Sequence, residues 1–315
     1  MMNCLVTGAA GFIASHLCRR LLKEGFKVVG IDSFTDFYPK RIKEKNIKPL
    51  IKDENFEFIT GDLNDLDLKK ILKKTDYVFH HAAQAGVRTS WGDNFSVYLE
   101  NNIGATQKLL EVAKKLSLKK FIYASSSSVY GNCPDLPMSE TSPLHPFSPY
   151  GVTKLAAENL CLLYCKNYGV PSISLRFFTV YGPGQRPDMA FHKFFKAIAK
   201  DKQIPVYGDG NQTRDFTYID DVIDANFASL KKGKVGEIYN IGGGTRKKLK
   251  DIFPLLENIC QKQVRLVRKE KQKGDAPHTF ANIEKARKDL NFSPQTKLRD
   301  GLKEEWLWAK KLYSS

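Results

Sequence analysis

The chain has 315 residues, of which 42% are hydrophobic, and a formal net charge of +16. That length accommodates two domains, the hydrophobic content is ordinary for a soluble globular protein, and no apolar run approaches the length of a membrane span. The surplus lysines fall in dispersed runs (KRIKEK, KKLSLKK, TRKKLK, RKEKQK) without interleaved aromatics, so they read as solvated faces and not as a nucleic-acid surface, although such a field also attracts an anionic substrate.

The chain enters its first strand at once, at Asn3 to Val6, which leaves no room for a signal peptide. From Phe12 the period changes: Ile13, Leu17 and Leu21 recur every fourth residue, and Gly25 stops the helix. In TGAAGFIASH the small residues Gly8, Gly11 and Ala14 therefore occupy a strand-to-helix turn. Glycine there lets the backbone bend tightly and lets a pyrophosphate reach the unpaired N–H groups of the helix N-terminus. Glycine patterns also occur in plain tight turns. The next strand, KVVGID, adds Asp32 roughly 20 residues on, placed to take both ribose hydroxyls of NAD and to repel the 2′-phosphate of NADP.

Further strand runs (FEFIT, YVFHHA, KFIYAS, SISLRFF) alternate with helical stretches. That rhythm predicts a Rossmann-like α/β fold, a doubly wound parallel sheet with helices on both faces. Ligands collect beyond the carboxyl ends of such strands, so the loops GDLND, AAQAGVR, SSSSVYG and FTVYGPGQRPD are the candidate site. After residue 180 the rhythm breaks into short strands (IPVYG, EIYNIGG, VRLVRK) and helices near 250–261 and 299–312, as expected of a smaller C-terminal α/β substrate lobe. Residues 1–178 are assigned to the dinucleotide-binding domain, with 214–248 returning to it, and 179–213 and 249–315 to the lobe. Cys4, Cys18, Cys133, Cys161, Cys165 and Cys260 show no metal-ligand spacing, which fits a reduced cytoplasmic enzyme without metal.

SPYGVTKLAAENLCLLY begins like a helix and places Tyr150 and Lys154 on one face. A neighbouring ammonium stabilises a phenolate, so Tyr150 is a candidate base for an alcohol or sugar hydroxyl. A surface pair is the commoner meaning of such spacing. The upstream dinucleotide signature and the serine run after the fifth strand argue for a site.

Taken together, TGAAGFIASH, Asp32, GDLND, HHAAQAGVR, ASSSSVYG, YGVTK and TRDFTYIDDV resemble the extended short-chain dehydrogenase/reductase family, in order and over nearly the whole chain. Within it the chain is most similar to nucleotide-sugar 4-epimerases, and RPDMAFHKF resembles their UDP-glucuronate branch. The resemblance implies Tyr150 as base, Lys154 as partner of Tyr150 and of the nicotinamide ribose, and Ser126 as the hydroxyl that binds the reacting oxygen. The flanking serines leave that last choice open by one residue. It implies NAD contacts from Gly8, Gly11, Phe12, Ile13, Asp32, Asp62, Leu63, Ala82, Ala83 and Gln84, with Asn102 on the cofactor side or just behind those residues. On the substrate side it implies Val87, Arg88, Thr179, Arg186, Phe191, Lys193, Val206, Tyr207, Asp275 and the diphosphate-binding Arg214. Two departures stand out: Ala14 replaces a glycine, and Gln272 replaces a diphosphate-contacting arginine.

Such relatives oxidise sugar carbon 4 to a ketone. Dehydratases carry an Asp-Glu pair where this chain has Ser127 and Ser128, and decarboxylases a glutamate at the second position. What remains is epimerisation at carbon 4, with UDP-glucuronate giving UDP-galacturonate. A UDP-glucose or UDP-N-acetylglucosamine 4-epimerase is the alternative, with a UDP-glucuronate decarboxylase and a non-catalytic NAD sensor behind it. Ser127, Ser128 and Thr179 are expected to hold a sugar carboxylate out of alignment with the carbonyl, since neutral donors suit an anion that a glutamate would repel. Relatives pair through two helices per subunit, which implies a homodimer, and no membrane partner is expected.

Overall fold

The computed structural model describes residues 2–313. Twelve strands and eleven α-helices alternate along these residues. The strands are β1 (Asn3–Thr7), β2 (Lys27–Asp32), β3 (Phe56–Thr60), β4 (Tyr77–His80), β5 (Lys120–Ser126) and β6 (Ser172–Phe177), then β7 (Thr179–Tyr181), β8 (Ile204–Tyr207), β9 (Thr213–Tyr218), β10 (Ile238–Ile241), β11 (Arg246–Lys248) and β12 (Leu266–Lys269). The helices are α1 (Phe12–Lys23), α2 (Lys40–Ile47), α3 (Leu68–Leu72), α4 (Phe95–Tyr98), α5 (Ala105–Ala113) and α6 (Pro149–Tyr168), then α7 (Ala190–Ala199), α8 (Ile219–Lys232), α9 (Phe253–Cys260), α10 (Glu284–Leu290) and α11 (Leu298–Tyr313).

Seven strands form one parallel sheet in the order β10-β6-β5-β4-β1-β2-β3. Strand order reverses between β1 and β4, and a crevice opens there beyond the carboxyl ends. Alternate residues of each strand enter opposite cores. Val6, Phe79 and Ile122 belong to one, Leu5, Val78 and Phe121 to the other, as expected of a sheet covered on both faces.

Of the segment 214–248, β10 pairs with β6 at the sheet edge and α8 packs on α1, whereas β9 and β11 join β7 in a second, three-stranded sheet. Strands β8 and β12 make a parallel pair. The stretch from Ser96 to Leu116 is not one regular helix: a π-helical segment, Leu99–Gly104, separates α4 from α5.

Helix α6 starts sharply. Ser148 Oγ accepts from Gly151 N (3.2 Å) and Pro149 occupies the first turn. At Gly151 a β-carbon would stand 2.6 Å from Ser128 O, so only glycine lets this helix start press against the serine loop. That contact brings Tyr150 to the end of β5.

Candidate active site

The crevice holds a cavity of about 580 Å³, within the range of small-molecule sites. Its dinucleotide end is built at the β1–α1 turn. Gly8 has φ +71°, and a β-carbon there would lie 3.0 Å from the backbone of Ala82, so the turn and the chain after β4 meet without side chains between them. Thr7 Oγ1 accepts from Ala82 N (3.0 Å) and pairs with His80 Nδ1 (2.8 Å), which locks the two strand ends together. Ala14, the departure from glycine, is buried against this core and tolerated.

Asp32 ends β2 inside the crevice. Its carboxylate accepts from Ala10 N (3.2 Å) and Phe34 N (2.8 Å), and Lys43 Nζ approaches at 3.4 Å. The expectation of a solvated KRIKEK face fails at Lys43, which is buried. Helix α2 turns Lys43 inward onto Asp32, a fact that a lysine-rich sequence run conceals. By contrast Lys247, Lys248, Lys271 and Lys273 are exposed.

Gly11, Phe12, Ile13, Asp62, Leu63, Ala82, Ala83 and Gln84 line the same cavity. Asn102 stands behind it, in the π-helical segment. Its side chain accepts from Gln84 N (2.7 Å) and donates to Gln84 O (3.0 Å) and Thr153 Oγ1 (2.9 Å), tying the Gln84 backbone to α6. The close backbone approach at Gly8, and the buried carboxylate of Asp32 lining the same cavity, fit a bound NAD.

Tyr150, Lys154, Ser126, Ser127, Ser128, Thr179 and Arg186 all line this cavity. Ser125 Oγ donates to Glu158 Oε2 (2.6 Å), so its hydroxyl is committed to the core, whereas Ser126 Oγ caps the next turn by accepting from Ser128 N (3.1 Å) and stands beside Tyr150. Among the described residues, the hydroxyls of Ser127 and Ser128 make no protein hydrogen bond.

Burial raises the Tyr150 pKa above its ordinary value, opposed by the positive charge of Arg186 and the Ser126 hydroxyl. Lys154 is itself buried, which pulls its pKa down to about 7, and its ammonium lies over the ring of Tyr123. Arg186 is fixed by two 3.0 Å contacts to Asp188, a partner no sequence pattern announced.

Toward the cavity mouth, Arg88 bonds Asp275 (2.7 Å) and stacks 4.3 Å from the Tyr207 ring centre, so loops from the two halves of the chain meet there. Arg214 and Lys193 line the wall nearby, and burial lowers the pKa of both. Val87 lines the wall too. Phe191 and Val206 are buried behind it, next to the lining residues Ala190, Pro205 and Tyr207. Gln272 lies outside the main cavity, in an adjoining hollow that shares Asp275 with it.

Residues 4–242 match the NAD dependent epimerase/dehydratase family, and the chain belongs to it. A UDP-glucuronate 4-epimerase of Thermodesulfobacterium geofontis is 41% identical over 97% of this chain and 95% of its own length. A Bacillus subtilis protein named as an uncharacterized UDP-glucose epimerase is 46% identical over 99% of both chains. The crystal structure of UDP-glucuronic acid 4-epimerase from Bacillus cereus, in complex with UDP-glucuronic acid and NAD, superposes with a TM-score of 0.97 at 48% identity, over 99% of this chain and all of that one.

Proposed function

We propose that this member of the NAD dependent epimerase/dehydratase family inverts carbon 4 of a UDP-sugar, converting UDP-glucuronate to UDP-galacturonate through a 4-keto sugar. The observation that carries the reading is the set of groups around Tyr150. Serine hydroxyls occupy positions 127 and 128, with Thr179 and the fixed cation Arg186 lining the same cavity and no carboxylate at either serine position.

NAD, when bound, accepts and returns the hydrogen of sugar carbon 4. Tyr150 takes the proton of the 4-hydroxyl and gives it back after the sugar has turned its other face. Ser126 holds that oxygen. The charge of Arg186 favours the phenolate as it forms. Lys154 stands one helical turn further along α6 and lines the same cavity, where its ammonium would hold the nicotinamide ribose. Ser127, Ser128 and Thr179 bind the sugar carboxylate and hold it out of line with the ketone, which resists loss of carbon dioxide. Arg214, Arg88 and Lys193 place positive charge where the diphosphate enters, and Asp275, whose Oδ2 is held by Arg88, offers Oδ1 to the uridine ribose.

The second reading is a neutral UDP-sugar substrate, favoured by the name of the B. subtilis relative. The test is to supply UDP-glucuronate to the purified protein and follow the sugar signals by NMR. UDP-galacturonate without carbon dioxide release is expected. Turnover of UDP-glucose or UDP-N-acetylglucosamine alone overturns the acid preference, and a UDP-pentose product overturns the epimerase.

We further place the enzyme in the cytoplasm as a homodimer. All six cysteines are free thiols, five of them buried, as suits a reducing compartment. Val97 and Leu99 near the π-helical segment, and Val152, Leu163 and Tyr168 on α6, leave apolar side chains exposed on the two helices expected to pair. Among the described residues no helix is long and apolar enough to cross a membrane.

A further inference from the structure

Three lysine and arginine side chains are buried among the described residues: Lys43, Lys154 and Arg176. Lys43 lies against Asp32 and Arg176 against Glu158. Lys154 differs. No carboxylate stands within salt-bridge distance, and its ammonium donates no hydrogen bond to the described chain. Glu158, one turn along the same helix, is already held by both sides of the Arg176 guanidinium and by Ser125.

What Lys154 has instead is the face of Tyr123. Its Nζ lies 4.3 Å from the ring centroid, inside the range of a cation–π contact. Tyr123 is 1% exposed on β5, two residues before Ser125. Its ring is wedged by His80, whose centroid is 5.8 Å away, and its hydroxyl points to Lys154 O at 3.5 Å. Both ends of residue 154 therefore meet one immobile aromatic side chain.

We propose that Tyr123 is a positioning residue of this active site: its ring holds the Lys154 ammonium in place and in its charged form. The proposal rests on the epimerase reading above. The groups around Lys154 leave the ring as the main direct support. On α6 these are Glu158, whose charge Arg176 of β6 opposes, the Cys161 thiol and the Tyr150 phenol, whose pKa desolvation raises. At the end of β4 and just after it they are His80 and His81, both kept neutral by burial, His81 with its pKa down at about 4. Burial draws Lys154 to about 7, so the ammonium is balanced close to working pH and loss of one favourable contact is felt in catalysis.

The test compares wild type, Tyr123→Phe, Tyr123→Leu and the longer, more flexible Tyr123→Met as NAD-loaded enzymes, recording kcat across neutral and alkaline pH. If Lys154 must be charged, the alkaline limb of Tyr123→Leu and Tyr123→Met moves down by about one pH unit, as a desolvated cation–π contact implies. KM changes little, and Tyr123→Phe, which keeps the ring, retains the wild-type limb. An unmoved limb in Leu or Met, or a Phe variant displaced as far as they are, overturns the proposal. Competitive acylation of Lys154, read by mass spectrometry against pH, gives the same comparison without turnover. A wild type inert toward every UDP-sugar sinks the epimerase reading, while this labelling still decides the Tyr123 contact: a lower Lys154 pKa in Leu and Met supports it, an equal one refutes it.

Discussion

Arg176 grips Glu158 through two contacts, Nε to Oε2 at 3.0 Å and an Nη2 bond to Oε1 at 2.6 Å, with both side chains almost fully buried. The pair joins β6 to the helix that carries Tyr150 and Lys154, and Ser125 shares its carboxylate. Removing one partner strands a charge in the core. Arg176→Met is expected to lower stability by about 3 kcal/mol in denaturant unfolding, and the double variant Arg176→Met/Glu158→Leu to be less destabilised than Arg176→Met alone. A double variant weaker than the single would refute this account.

Asp32 presents a buried carboxylate to the dinucleotide end of the cavity. Asp32→Ala is expected to weaken NAD binding about 10- to 100-fold, the size of lost hydrogen bonds to a charged acceptor. The NAD released on denaturing equal amounts of the purified variant and wild type measures it. Undiminished retention would move the ribose contact elsewhere.

Ser128 should guard the product. With UDP-glucuronate, Ser128→Ala is expected to raise the decarboxylated UDP-pentose by-product roughly tenfold, corresponding to one hydrogen bond to a carboxylate. NMR or chromatography of the product mixture reads the ratio. An unchanged ratio removes the serine from this role.

Burial places the Lys154 pKa at about 7, far below its unfolded value. Between those values the unfolded chain binds the extra proton, so folding gains stability as pH rises through that window. Below the folded value the cost of the buried charge is present in full. Lys154→Met should therefore be more stable than wild type at neutral pH without NAD, by a margin that shrinks toward alkaline pH. Urea midpoints of the two proteins at neutral and alkaline pH provide the check, and a margin that widens would reverse the sign.

Much of the fold was legible because local chemistry repeats it. The change of period at Phe12, the buried strand runs and the Ser-Pro start of α6 each follow from neighbours in sequence. The π-helical break at Leu99–Gly104 was not legible, since its apolar spacing passes for an ordinary helix while the reason for the break, the Asn102 bonds to Gln84 and Thr153, lies in other elements. The same holds for Lys43, which looks like any other lysine in a basic run until α2 folds it onto Asp32.

By itself the sequence determined the strand–helix alternation, the glycine turn with Asp32 beyond it, and the Tyr150–Lys154 spacing, because each depends on residues within a few turns of one another. Only the tertiary structure decided which charges meet. Arg186 stands by Tyr150, Lys154 lies over Tyr123, Arg88 reaches Asp275, and Glu158 takes Ser125 while Ser126 stands beside Tyr150. The physical reason is that a charge responds to distance and burial in space. Side chains from separate loops become neighbours only after the sheet has brought its strand ends to one crevice.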